Sequence, residues 1–184
     1  MLDETTKTTF SPLKSELYHA YQSAWCFKRK IESLPGRLQT ETREFLLEEL
    51  TSLRSLANDI VLRLCNLDDE KSRFSFQEIK RLLNKSAQLD QAAKKRLTDT
   101  VAEYRTSINT LKTQHRNKYI AHLQGDFYPD PFQVQEMVSG ISIALASAQK
   151  TISTVWGAEQ HFGFKLGSRD RTIDFVQEIK NEPI

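Results

Sequence analysis

The stretch LTDTVAEYRTSINTLKTQHRNKYIAH, Leu97 to His122, decides how the chain is read. Its first half places apolar residues at Leu97, Val101, Tyr104, Ile108 and Leu111. Steps of four and three keep such side chains on one face of a helix. Continued by the same steps, the stripe meets His115, Lys118 and His122. Positions that face inward for four turns therefore turn polar while the helix phase stays the same. Arg116 and Tyr119 flank the stripe by about 100° per residue step, and a long guanidinium reaches across that angle. Polar groups along a core seam are costly unless they are paired or open onto a cleft or subunit interface. The competing reading is that the helix emerges from the protein here and the residues are solvated, since cations favour helix C-termini.

Three further segments repeat the same pattern. Leu13, Leu17, Ala20, Ala24, Phe27, Ile31 and Leu34 follow Ser11-Pro12, a cap and first-turn proline, and stop at Pro35-Gly36. Leu46, Leu50, Leu53, Ala57, Ile60, Leu64 and Leu67 begin near Thr40-Glu41 and run into the acidic turn Asp68-Asp69-Glu70. Val134, Val138, Ile141, Leu145, Ala148, Ile152 and Val155 follow the cap and proline of Asp130-Pro131. The helix carrying Leu97 to Leu111 starts near Asp90. Ser75-Phe76-Gln77-Glu78 has capping-box spacing and opens a short helix to about Lys85. Thr172 to Lys180 is a second short candidate.

No segment alternates with period two between hairpin turns, so essentially no sheet is expected. The fold expected is all-α: an up-and-down bundle of four long helices with one or two short accessory helices. One domain spans 1–184, with its core at about 11–157 and a C-terminal extension over 158–184.

Composition narrows the function classes. Hydrophobic residues make 39% and charged residues 27% of 184, as in ordinary globular proteins, and the net charge of +2 leaves any basic site local. No apolar run reaches the roughly 18 residues of a membrane span. The acidic, polar start MLDETTKTTF lacks the features of a secretion signal. Cys26 and Cys65 each sit within a helical pattern and read as buried free thiols. These features point to the cytoplasm.

Arginine, lysine and two histidines at one helix end, followed by a proline-bounded loop, suit a phosphate. Arg116 can hold two phosphate oxygens, and a histidine titrating near pH 6.5, about its unperturbed value, passes protons at neutral pH. "RNKYIAH", Arg116 to His122, resembles the signature of HEPN domains, an arginine and a polar residue followed by a histidine. Asp59 to Leu83, "DIVLRLCNLDDEKSRFSFQEIKRLL", is similar to the abortive-infection U-type branch of that family, and the resemblance runs from about Leu13 to Trp156.

The resemblance implies a helical bundle that dimerises with two motifs near a two-fold interface. It implies a metal-independent endoribonuclease, acting in toxin–antitoxin or abortive-infection defence. Arg116 and His122 would be the catalytic pair, with Asn117 orienting the site or touching RNA. His115, Lys118 and Tyr119 would bind RNA backbone and bases beside the cleft. RNA or a nucleotide, a second copy of the chain and an antitoxin protein are the implied partners; no cofactor, metal or membrane is. Gln124 occupies the place where some relatives carry a modifiable tyrosine, which argues against that mode of control. The alternative is a non-catalytic dimeric module that binds a nucleotide, RNA or protein; a third reading is a purely structural adaptor.

Rival sites are weaker. His115 and His122 lie two turns apart, about 10.5 Å along an α-helix, too far to chelate one zinc ion. Asp68-Asp69-Glu70 could bind a divalent cation but reads better as a solvated helix end. Trp156 and His161 read as tail packing, and His19 as a satisfied, half-buried histidine.

Overall fold

A computed structural model describes residues 4–87, 89–120, 134–165, 172–181 and 184, with backbone alone at 117–120 and 134–136. In chain order, α1 (Glu4–Thr9), α2 (Ser11–Arg37), α3 (Arg43–Leu67), α4 (Phe76–Lys85) and α5 (Gln91–Thr110) come first. A π-helical segment, Leu111–Ile120, continues α5. Then come α6 (Val134–Trp156), β1 (Gly163–Phe164), β2 (Ile173–Asp174) and α7 (Phe175–Asn181). The four long helices α2, α3, α5 and α6 make the expected all-α bundle. α2 packs on α3 and α5 on α6, while α3 also meets the π segment and α6.

The stripes account for the core. Leu13, Leu17, Ala20, Ala24 and Phe27 from α2 are buried against Leu53, Ala57, Ile60 and Leu64 from α3. Leu97, Val101, Tyr104 and Ile108 from α5 meet Ile141, Leu145, Ala148 and Ile152 from α6. At roughly 1.5–3 kcal/mol for each large apolar side chain, this burial is the main force assembling the bundle. Two buried tyrosines fasten helices across it. Tyr104 Oη donates to the Leu64 carbonyl at 2.6 Å, and Tyr21 Oη donates to the Leu145 carbonyl at 3.2 Å.

Local signals set most boundaries. The Thr42 hydroxyl accepts from the Phe45 amide, Ser75 from Glu78 and Asp90 from Ala93, each a side-chain cap on the following helix. Half of the expected capping box is thus in place at Ser75, while the Glu78 carboxylate accepts both arms of Arg81.

Several expectations need correction. Pro35 does not stop α2, which continues to Arg37; the Leu38 amide still reaches the Leu34 carbonyl at 3.0 Å. Phe10, not Ser11, occupies the cap position, because the short α1 leads directly into α2. Leu46 is only half-buried and Leu50 is 54% exposed, since the first turns of α3 run past the core. α1, α4 and α7 make three short helices among the described residues where one or two were expected. The sheet content is minimal, as expected: a two-residue antiparallel ladder pairs Gly163 with Asp174 and Phe164 with Ile173. Cys65 is buried, but Cys26 is only half-buried; both are free thiols. The cap at Asp130-Pro131 lies outside the described residues. No helix among those described is long and apolar enough to cross a membrane.

Candidate functional site

The largest departure from simple periodicity falls on the segment singled out by sequence. From Leu111 the chain leaves α-helical winding for a π-helix that runs to Ile120. A π-helix bonds i to i+5 rather than i+4, so each turn takes up close to one more residue. The inward face then recurs every four to five positions. Burial follows that rule: Leu111 is buried, Lys112 half-buried, Thr113 and Gln114 exposed, and His115 and Arg116 both half-buried. Arg116 therefore does not flank the stripe, as an α-helical phase predicts. It joins His115 on the inward face, and a fully solvated helix end is ruled out for both.

The wall behind this segment comes from α3 and the turn after it. Cys65 is fully buried in α3, and its thiol is pushed up to about 11, chiefly by burial, with Arg116 and Lys112 nearby pulling it down and Asp68 pushing it up. Asp68 follows α3 and is 1% exposed. Its carboxylate accepts from Arg105 Nε at 3.1 and 3.2 Å, from Lys112 Nζ at 3.3 Å and from Gln77 Nε2 at 2.6 Å. The second arm of Arg105 reaches Glu70 at 2.6 Å. Asp68 is thus not part of a solvated helix end, although Glu70 two residues on is exposed. The buried Asp68 carboxylate clamps α5 and the π segment to α3 and α4.

That clamp escaped sequence reading, although a signal existed: Arg105 and Lys112 are seven residues apart and share a helix face. On the opposite side, α6 approaches closely. A methyl group built on Gly140 would lie 3.1 Å from Leu111 Cδ2, so glycine lets α6 pack where the winding changes.

Arg116 differs from the cations around it. Arg105, Lys112 and Arg63 are each paired with carboxylates, Arg63 with Asp59 at 2.8 Å and Glu16 at 3.0 Å. Among the described residues the half-buried Arg116 side chain meets no carboxylate. Of the other expected site residues, Asn117, Lys118 and Tyr119 lie on the π-helical backbone, while His122 lies outside the described residues.

The remaining candidates are resolved simply. His19 is exposed rather than half-buried, edge-on to Tyr18 at 5.2 Å and 3.3 Å from Gln22 Oε1. His161 is exposed, with Nδ1 3.1 Å from the Asp174 carboxylate, so it pairs at the surface rather than packing. Trp156 packs against the core, with Lys14 Nζ 5.7 Å over its ring. Among the described residues, no group of three or more His, Cys, Asp or Glu is arranged to hold a metal ion. A cleft of about 770 Å³ lined by Tyr21, Leu145, Gln149, Lys150, Glu159 and Lys180 is a separate feature, with no lining residue from the π segment.

Comparison with curated proteins and comparison with solved structures each returned no match. The family model HEPN_AbiU2, described as AbiU2, matches residues 5–139, which covers α1 to α5, the π segment and the first residues of α6. With nearly three quarters of its length matched, and with Arg116 to His122 inside that span, the chain belongs to the AbiU2 family of HEPN domains.

Proposed function

We propose that this protein is a metal-independent endoribonuclease that cleaves RNA through its 2′-hydroxyl and serves as a toxin or abortive-infection component. One observation carries the reading: Arg116, in the family's signature, is a half-buried guanidinium without a carboxylate partner among the described residues. A phosphodiester supplies the missing anion. Arg116 then stabilises the phosphorane as charge builds on its oxygens.

In the reaction the RNA 2′-oxygen bonds to the adjacent phosphorus and the bond from phosphorus to the 5′-oxygen breaks. A 2′,3′-cyclic phosphate and a free 5′-hydroxyl result. His122 takes the 2′-hydroxyl proton or delivers one to the leaving oxygen. A two-fold dimer brings a second imidazole for the other transfer and a second Arg116 to the same cleft. Asn117 orients the pair, and His115, Lys118 and Tyr119 hold backbone and bases. The nucleophile belongs to the substrate, so the protein needs no nucleophile of its own. Residues 1–184 act as one domain in this reading, and an antitoxin protein restrains it.

The test uses single-stranded RNA in excess EDTA with the wild type, Arg116→Ala, His122→Ala and a 2′-deoxy substrate. We expect EDTA-resistant cleavage that falls at least 100-fold in either variant and vanishes without the 2′-hydroxyl. RNA binding without cleavage by the wild type would replace the nuclease with a binding module. Sedimentation is expected to give twice the 21.3 kDa chain mass for wild type and both variants.

A further inference from the structure

The modest net charge conceals a concentration of basic residues. Residues 71–96 hold eight Lys and Arg against two acidic residues, a net +6, so the other 158 residues carry a net −4. Of these eight, Arg81 pairs with Glu78 and Lys80 donates to Gln77 Oε1. Lys71, Arg73, Lys85, Lys94, Lys95 and Arg96 form no ion pair among the described residues, Lys85 feeling Glu78 only at longer range. Elsewhere the cations are largely neutralised: Lys30 by Glu49 at 2.7 Å, Arg63 by Asp59, Lys150 by Glu103 at 2.6 Å and Lys180 by Glu159. Unneutralised charge is thus concentrated on one part of the surface.

The fold gathers three of these residues at one groove. α4 and α5 run antiparallel: the Phe76 ring meets Tyr104 at 4.9 Å, and eight residues on, Asn84 Nδ2 donates to Thr98 Oγ1 at 3.3 Å. That direction brings the last turn of α4, with Lys85, beside the first turns of α5, with Lys94, Lys95 and Arg96. Between the helices lies a groove of about 360 Å³ lined by Asn84, Gln91, Lys94, Lys95, Thr98 and Asp99. Asp99 is its one acid, against two lysines, and the amides and hydroxyl supply neutral hydrogen bonds. Arg96 faces the other way, lining the cleft between α5 and α6. Phe74, 46% exposed just before α4, offers a face on which a base can stack.

Unpaired cations cost the fold through mutual repulsion, and a bound polyanion removes that cost while releasing its counterions. Backbone phosphates are the fitting partner: they are evenly spaced, and side-chain amides and hydroxyls bind them alongside lysine. We propose that the α4–α5 corner, formed by Lys85, Lys94 and Lys95 around the Asn84–Thr98 groove, binds the sugar–phosphate backbone of single-stranded RNA. It rests on the ribonuclease reading in one respect, that the strand held here continues to Arg116. From Lys94 to Leu111, α5 spans about 25 Å, so the corner holds the strand several nucleotides from the scissile phosphate.

The deciding measurement is fluorescence anisotropy of a labelled 30-nucleotide oligouridine over a range of salt. It compares wild type, Lys85→Gln/Lys94→Gln/Lys95→Gln, Arg116→Ala, and Arg43→Gln/Arg54→Gln as a control for lost charge. Arg43 and Arg54 are exposed cations of α3 that likewise lack an acidic partner among the described residues. We expect the triple variant to lose at least ten-fold in affinity, and its slope of log affinity against log salt to shrink by about two, at roughly 0.7 per phosphate contact. The control is expected to lose three-fold or less. Where cleavage is measured, KM rises in the triple variant while kcat holds. A triple variant with wild-type affinity and slope, or a wild type that binds no RNA even at low salt, would overturn the proposal. So would polyglutamate binding to the corner in preference to RNA, which would indicate an acidic protein partner. If the wild type binds RNA through this corner but does not cleave it, the nuclease reading fails and the binding surface stands.

Discussion

Asp68 shows how much one residue can control. It is 1% exposed and accepts from Arg105, Lys112 and Gln77, groups contributed by α5, the π segment and α4. Removing a buried partner leaves the others with unmet charge, and such losses typically cost about 3–5 kcal/mol. Arg105 and Lys112 are partly solvated, so a lower figure applies here. Asp68→Ala is expected to lower stability by about 2 kcal/mol, read from the urea midpoint. Hydrogen exchange should also quicken more in residues 111–120 than in α2. Uniform quickening would mean that the clamp serves the bundle at large rather than this segment. Ser75 belongs to the same scale but was legible beforehand, because a cap depends on residues three apart in sequence. Asp68 was not, because its donors lie nine to forty-four residues away.

Among the elements, the π segment is the one that periodicity misreads. The apolar steps from Leu97 to Leu111 describe α5 correctly, and all five residues are buried. Beyond Leu111 the same steps choose Lys118 and leave Arg116 to one side, whereas the observed winding brings His115 and Arg116 inward together. The change begins where two tertiary contacts converge, Lys112 on Asp68 and Leu111 against Gly140. Neither contact is visible in a window of a dozen residues. Gly140→Ala gains helix propensity of up to about 1 kcal/mol and is expected to be near neutral, since Leu111 need shift only slightly. Gly140→Val is expected to cost about 1–3 kcal/mol by overpacking against a buried leucine. Chemical denaturation of both variants checks this. A fully tolerated valine would mean that the close approach does not constrain the segment.

At the scale of the whole molecule, buried acids tie global stability to pH on the alkaline side. Burial raises the Cys65 thiol to about 11, and burial, with Cys65 and Asp68 nearby, raises the Tyr104 hydroxyl well above its usual range. A raised value means that the folded chain keeps a proton that the unfolded chain gives up. The stabilisation is complete below about pH 9 and is lost as pH climbs towards 11. The urea midpoint is therefore expected to fall between pH 8 and 10.5, and Cys65→Ala to flatten part of that fall. A midpoint equally steep in Cys65→Ala would remove the thiol from the account.

What the sequence determined by itself was the class of fold and the family. Amphipathic stripes and the Ser75 cap depend on neighbours within one or two turns, and they yield four long helices and the start of α4. The arginine-to-histidine spacing and Asp59–Leu83 identified the family that the match over residues 5–139 shows. What only the tertiary structure decided was the winding of residues 111–120, the burial of Asp68, and which cations are left without acids among the described residues. All three depend on contacts between helices far apart in the chain. Arg116 and the corner of Lys85, Lys94 and Lys95 look like any other basic residues until the fold shows which carboxylates, among the described residues, they fail to meet.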